Sequence, residues 1–177
     1  QNVESNLYFK YLRTTNPISE IDRISPEKLE IKFEGKPKVL LIDDEAEKGW
    51  YEIFAYLLGD LNDVYTDFLG DDFKNQNQEE IIDKSIKKII EDDVDVVILD
   101  FRLNSNDFIG SSTKDVSSIQ LLKKIKELNP GIQVLIFSAT NKVWNLQALQ
   151  DAGADGFIFK DGGENVYQSI ENLLVKL

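Results

Sequence analysis

Five charged or hydroxyl-bearing residues each stand at the end of a short apolar run. They are Asp43, Asp44, Asp100, Ser138 and Lys160. Carboxylates bind divalent cations, whereas a hydroxyl and an ammonium group donate hydrogen bonds to anionic oxygens. If the chain folds so that these side chains meet, the set suits a divalent metal ion next to a phosphoryl group.

The apolar runs that precede these residues are typical of buried parallel strands. They span residues 39–42, 96–99, 134–137 and 157–159 and are rich in Val, Ile, Leu and Phe. Parallel strands in an open α/β sheet are buried on both faces, and ligands bind at their carboxyl ends. If these strands are neighbours, the five polar groups share one crevice.

From Lys38 onward, strand-like and helix-like patterns alternate five times. The strands are predicted near residues 38–43, 63–68, 94–100, 132–138 and 155–160. Such alternation indicates an α/β domain, with a parallel sheet covered by helices on both faces.

The segments between the strands carry apolar residues at helical spacing, and we expect all of these residues to be core. The stripes consist of Trp50, Ile53, Phe54 and Leu57, then Ile82, Ile86, Ile89 and Ile90, then Ile119, Leu122 and Ile125, then residues 143–149, and finally Val166, Ile170, Leu173, Leu174 and Leu177.

Residues 1–36 do not follow this rhythm and are predicted to be an extension of a domain spanning residues 37–177. Residues 29–34 alternate apolar and charged side chains like a half-buried strand, and residues 6–12 are a weaker strand candidate. The extension is either a small hairpin or the remnant of an upstream region. The chain begins with Gln1 and has no methionine, so we expect it to be a fragment.

Composition excludes several kinds of site. A formal net charge of −12 argues against binding of a nucleic-acid backbone. The chain has no histidine and no cysteine, which rules out serine–histidine catalysis, histidine-bound zinc and disulfides. No segment approaches the roughly 20 apolar residues of a membrane span, and no signal peptide is visible. We therefore expect a cytoplasmic protein.

The five polar residues occur in an order that resembles the receiver domains of two-component response regulators. The resemblance covers residues 38–177 and includes the run 153–160, which leads into Lys160. It implies a doubly wound (βα)5 fold with a five-stranded parallel sheet of the flavodoxin-like type. It also implies a signalling phosphoacceptor, not a metabolic enzyme.

The resemblance further implies a role for each matched residue. Asp100 is the expected phosphoacceptor, and Mg²⁺ is expected to bind Asp44, Asp100 and the backbone carbonyl of Arg102, with Asp43 orienting the metal. Lys160 and Ser138 are expected to contact the phosphoryl group. The phosphoryl donor would be a histidine kinase or a histidine phosphotransfer protein.

In the family, phosphorylation moves a hydroxyl residue and an aromatic residue on the fifth strand, which correspond here to Ser138 and Phe157. The fourth helix, fifth strand and fifth helix then form a face that is often used for homodimerisation. Trp144 begins that fourth helix and is either a partner anchor or an ordinary packed side chain.

Two segments depart from the family pattern. The proline that usually follows the lysine is replaced by Asp161, and about ten extra residues follow Asn104. The insertion, residues 104–115, is either a solvent-exposed loop or a lid that uses Phe108 and Ile109. Glu45 is expected to be a helix N-terminal acid and not a metal ligand.

Two other functions remain open at this point. One is a pseudo-receiver that binds a partner without being phosphorylated. The other, more distant, is a phosphohydrolase of the haloacid-dehalogenase type. Those enzymes carry Asp-x-Asp after the first strand, a spacing that Asp43, Asp44 and Glu45 lack.

Overall fold

The computed structural model describes residues 36–60, 64–104, 116–139 and 143–160. Their strands form one parallel sheet in the order β2-β1-β3-β4-β5. The strands are β1 (Lys38–Ile42), β2 (Tyr65–Leu69), β3 (Val96–Asp100), β4 (Gln133–Ser138) and β5 (Gly156–Phe159). This order is the flavodoxin-like one, so the predicted fold class is confirmed.

Apart from two single 3-10 turns, four helices connect these strands within the described residues. They are α1 (Trp50–Phe54), which continues with π-type hydrogen bonding through Ala55–Asp60, α2 (Gln78–Asp92), α3 (Ser117–Leu128) and α4 (Val143–Asp151). Helix α2 begins with a capping box in which Asn77 and Glu80 each accept a backbone N–H of the other. Among the helices of the described residues, none has the length and apolar character of a membrane span.

The core has two parts, one on each face of the sheet. On one face, Ile81, Ile119 and Leu149 from α2, α3 and α4 pack against buried side chains of β1, β3 and β4. On the other face, Phe54 and Leu58 pack against a second set that includes Phe137. This arrangement, with helices on both faces, is why β1, β3 and β4 read as continuous apolar runs.

Among the described residues that were predicted to be core, two are exposed. Ile53 is 42% exposed and Ile90 is 57% exposed. In α2 the buried face is formed by Ile81, Ile82, Ser85 and Ile89. Ile90 follows Ile89 in the sequence but lies outside this face when viewed around the helix axis. The isoleucines of this segment cover a wider arc than the sheet can bury, and periodicity alone does not select the buried part.

Several predictions lie outside the described residues. They concern residues 1–35 of the extension 1–36, residues 105–115 of the insertion 104–115, Asp161 and the last helical stripe, as well as the side chain of Trp144.

Candidate functional site

Two of the predicted acids are brought to the switch point of the sheet, where the chain leaves β1 and β3 on opposite faces. Asp43 follows β1 directly and Asp100 is the last residue of β3, and these two strands are hydrogen-bonded neighbours. Oxygen atoms of Asp43, Asp44 and Asp100 lie within 4.8 Å of one another. The ends of the two strands therefore assemble a group of three carboxylates, as predicted.

Asp43 is fully buried and both of its carboxylate oxygens are engaged. Oδ1 accepts a hydrogen bond from the backbone N–H of Glu45 at 2.7 Å, and Oδ2 accepts one from Lys160 Nζ at 2.8 Å. Its own backbone N–H donates to the carbonyl of Leu69. Asp43 is thus held from three sides, whereas Asp44 next to it is only half-buried.

Asp100 is held by two donors. Its Oδ1 lies 2.7 Å from Lys160 Nζ, and its Oδ2 accepts the backbone N–H of Arg102 at 3.0 Å. Burial raises the pKa of Asp100 to about 7, with Lys160 opposing that rise and Asp43 adding to it. The buried site therefore disfavours the ionised form of this carboxyl group.

The pKa values of the other charged groups at the site are also shifted by burial and by neighbouring charges. The pKa of Asp44 is raised by partial burial and then by the nearby charges of Asp43 and Glu45. Burial acts to lower the pKa of the Lys160 ammonium, but attraction to Asp100 and Asp43 raises it overall. One ammonium therefore faces three carboxylates, and the site holds more negative charge than Lys160 can balance.

Ser138 and Lys160 are positioned by the last two strands of the sheet. Asp100 pairs with Phe137 across β3 and β4, and the next residue, Ser138, is buried. The backbone N–H of Lys160 donates to the carbonyl of Ser138 at 2.9 Å, which fixes where the lysine leaves β5. Phe157 lies on β5, half-buried against the core on the face of α2, α3 and α4.

Arg102 and Glu45 occupy different environments. The backbone of Arg102 contacts Asp100 directly, so this residue begins the loop beside the site. The carboxylate of Glu45 instead pairs with Lys48 at 2.6 Å, which lowers its pKa. Within the described ranges, Glu45 is not a member of the acidic cluster.

Sequence reasoning missed one residue that shapes the site. Gly70, directly after β2, has a φ of +151°, and a Cβ there would lie 2.0 Å from the backbone oxygen of Asp43. Only glycine permits this approach. A glycine directly after a predicted strand was the available signal, but nothing in the sequence showed which backbone it would meet.

Two aromatic rings near Lys160 were also not anticipated as part of the site. The Lys160 ammonium lies 4.7 Å from the ring centroid of Phe137 and 6.0 Å from that of Trp50. Both residues were predicted only as apolar members of a strand and a helix. Sequence periodicity predicts which face of a helix or strand a residue occupies. It does not predict how close that residue lies to a lysine on another element.

Solved structures that resemble this chain include response regulators and their receiver domains. A CheY-like response regulator receiver domain protein from Methanospirillum hungatei JF-1 aligns with a TM-score of 0.57 and 17% identity, over 80% of this chain and 96% of that one. The receiver domain of NtrX from Brucella abortus aligns with a TM-score of 0.55 and 21% identity, over 78% and 98%. A two-component response regulator from Clostridium difficile gives a TM-score of 0.56 and 20% identity, over 78% and 96%.

No family model matches the chain, and no curated sequence matches it significantly. The likeness therefore lies in the fold. The chain has the receiver-domain fold of response regulators, and the resemblance drawn from its sequence is confirmed at that level.

Proposed function

We propose that this chain is a response-regulator receiver domain that accepts a phosphoryl group on Asp100 in a Mg²⁺-dependent reaction. The observation that supports this most strongly is the joint placement of three carboxylates and Lys160 at the switch point of a receiver fold. The phosphoryl donor would be the phosphohistidine of a histidine kinase or of a histidine phosphotransfer protein. A cytoplasmic location belongs to the same proposal.

The acidic group fits a magnesium ion. Asp44 and Asp100 would hold it with the backbone carbonyl of Arg102, while Asp43, whose oxygens already accept two hydrogen bonds, would orient it. The raised pKa values of Asp44 and Asp100 support this assignment, because burial first and then neighbouring carboxylates disfavour their ionised forms, which a bound cation would favour. Bound magnesium would supply positive charge near the oxygens of the transferring group.

The transfer step would begin with an ionised Asp100. One carboxylate oxygen attacks phosphorus, the P–N bond of the phosphohistidine breaks, and its electron pair stays on the imidazole nitrogen. The product is an acyl phosphate on Asp100. Lys160, which lies 2.7 Å from Asp100 Oδ1, would pair with the phosphoryl oxygens, and Ser138 would donate a hydrogen bond to them.

The signal would pass from Ser138 to β5. In this proposal Ser138 moves toward the phosphoryl group, and Phe157 turns inward to occupy the space that it leaves. Phosphorylation would then favour one of two arrangements of β4, β5 and α4, because the phosphoryl group interacts differently with them. The face of α4, β5 and the fifth helix is the proposed surface for a homodimer or an output partner.

A pseudo-receiver is the second candidate. Both oxygens of Asp100 are already engaged, and burial disfavours the ionised, nucleophilic form of its carboxyl group. An interaction module of this kind would bind its partner equally well after Asp100→Asn. The haloacid-dehalogenase hypothesis has no similar support. Those enzymes carry their Asp-x-Asp motif after the first strand, whereas the candidate nucleophile here lies at the end of β3.

The test is intact mass measurement after incubation with acetyl phosphate and Mg²⁺. We expect a gain of one phosphoryl group in the wild type, and none in Asp100→Asn or in the presence of EDTA. Asp67→Asn is the matched control, because Asp67 also pairs with a lysine but lies on β2, away from the acidic cluster. Absence of both an adduct and beryllofluoride binding in the wild type would refute phosphoacceptance and favour the pseudo-receiver.

A further inference from the structure

The ammonium of Lys160 lies between two kinds of partner. On one side are Asp43 Oδ2 at 2.8 Å and Asp100 Oδ1 at 2.7 Å. On the other side are the rings of Phe137 and Trp50, with centroids 4.7 Å and 6.0 Å away. Both distances fall within the range in which a cation is attracted to the face of an aromatic ring.

The two rings form a packed unit. The centroids of Trp50 and Phe137 are 4.7 Å apart with the rings nearly perpendicular, and Phe54 meets Phe137 edge-on at 5.3 Å. Phe137 is fully buried and Phe54 almost so. The rings beside the ammonium are therefore fixed by the core between α1 and the sheet.

The two kinds of partner differ in what happens when the site is loaded. A metal ion and a phosphoryl group would compete with Lys160 for the oxygens of Asp100. The aromatic rings offer no lone-pair oxygen to a metal or to phosphorus, so their attraction for the ammonium persists. They also exclude water from one side of it, which strengthens its remaining electrostatic contacts.

We propose that Trp50, together with Phe137, positions the Lys160 ammonium over Asp100, with Trp50 acting as a positioning residue for phosphoryl binding. This inference rests on the proposed function only for the identity of the anion that the ammonium meets. Trp50 is the residue to test, because it is half-buried, whereas a change at Phe137 would also disrupt the core.

The test is calorimetric titration with beryllofluoride in the presence of Mg²⁺, as a stand-in for the phosphoryl group. Trp50→Leu is expected to weaken binding about fivefold, and Trp50→Phe, which keeps a ring, to recover most of the loss. Tyr51→Leu is the matched control: its ring, also on α1, packs on Phe68 instead, and binding should not change.

Repeating the Trp50→Leu titration in a Lys160→Met background separates positioning of the ammonium from a general disruption of the site. If Trp50 acts through the ammonium, Trp50→Leu causes no further weakening once Lys160 has been replaced. Equal weakening in both backgrounds, or a loss as large in Tyr51→Leu, would overturn the proposal.

A second measurement tests the contact between Trp50 and Lys160 even if the wild type binds no beryllofluoride. The chain has two tryptophans, so a Trp144→Phe protein reports Trp50 alone. We expect Lys160→Met to change the emission of Trp50, because it removes a fixed charge beside the indole, and Lys88→Met on α2 to leave it unchanged. Emission that is indifferent to Lys160→Met would refute the contact, independently of phosphoacceptance.

Discussion

Two lysines in this molecule are each held by two carboxylates, yet their surroundings differ. Lys160 bridges Asp43 and Asp100 at the carboxyl end of the sheet, with contacts of 2.8 and 2.7 Å. Lys88 on α2 bridges Asp67 and Asp92, with contacts of 2.6 and 2.7 Å. By distance alone the two clusters are equivalent.

Burial and charge balance separate them. The side chains of the first cluster are 14%, 0% and 9% exposed, in the order Lys160, Asp43 and Asp100, whereas those of the second are all between 26% and 32% exposed. In the second cluster, attraction to both acids outweighs the effect of burial and raises the pKa of Lys88. The first cluster has Asp44 as an extra acid and an Asp100 whose pKa is itself raised. The second cluster links α2 to β2, whereas the first places an additional carboxylate beside its lysine.

The largest expected difference between the clusters is in phosphoryl transfer. Lys160→Met is predicted to slow phosphorylation of Asp100 by acetyl phosphate by about 100-fold or more, the usual effect of losing one positioned donor at a developing charge. Lys88→Met should leave the rate unchanged. Time-resolved intact mass measures both, and equal rates in the two variants would remove the functional distinction between the clusters.

The rigidity of the first cluster is predicted to depend on Gly70. Gly70→Ala adds a Cβ that would lie 2.0 Å from the backbone of Asp43, at a φ that side chains rarely adopt. We expect a loss of about 3 kcal/mol in the free energy of unfolding, measured with urea.

Gly49→Ala is the control for Gly70→Ala. Gly49 also has a positive φ, of +112°, but a Cβ there would meet nothing within 4 Å. It therefore isolates the backbone cost, which we expect to be about 1 kcal/mol. If both variants lost the same amount, the close approach to Asp43 would not matter for stability.

Sequence patterns predicted the strands well because each buried strand is a short apolar run that ends in a polar residue. Observed strand ends lie within about two residues of those predicted, and Asp43, Asp44 and Asp100 were expected to meet. Parallel pairing in a fixed order is what turns the ends of separate runs into one site. That step requires the strand order, which the alternation of elements left open and the resemblance to receiver domains implied.

The features that the sequence did not predict depend on tertiary contacts, which hydrophobic periodicity does not encode. The rotation of α2 that exposes Ile90 is set by how much of the helix the sheet can cover, not by the isoleucine pattern. The approach of Gly70 to Asp43 and of Trp50 to Lys160 joins residues from different elements. Such contacts become visible only when both elements are placed.

The pH dependence of the protein's folding stability should also distinguish the two clusters. The pKa of Asp100 is about 7 in the folded protein and near 3.8 in a free side chain, so the folded state binds the proton more tightly. Its contribution to stability is complete below about pH 4 and is lost progressively as pH rises toward 7.

Asp100→Asn should flatten this decline in metal-free protein, because the amide cannot ionise. Mg²⁺ should also reduce it, since a bound cation favours the ionised carboxylates. Thermal unfolding between pH 4 and pH 8 with and without Mg²⁺ measures both effects. A wild type whose stability did not fall over this range would show that Asp100 ionises without penalty, and the first cluster would then resemble the second.

The smallest expected effect concerns the second cluster itself. Lys88→Met removes the link between α2 and β2, and we predict a loss of about 1 kcal/mol in the free energy of unfolding. The loss stays small because Asp67 and Asp92, each about 30% exposed, regain water when the ammonium is gone.

Lys87→Met is the matched control, since the neighbouring lysine pairs with Glu91 at 3.7 Å and both of these side chains are largely exposed. Its replacement should not measurably change stability. If Lys88→Met destabilised the protein by several kcal/mol, the acids of the second cluster would be as poorly hydrated as Asp43 and Asp100. Burial would then not be the property that separates the first cluster from the second, and the additional carboxylate of Asp44 would have to account for any functional difference.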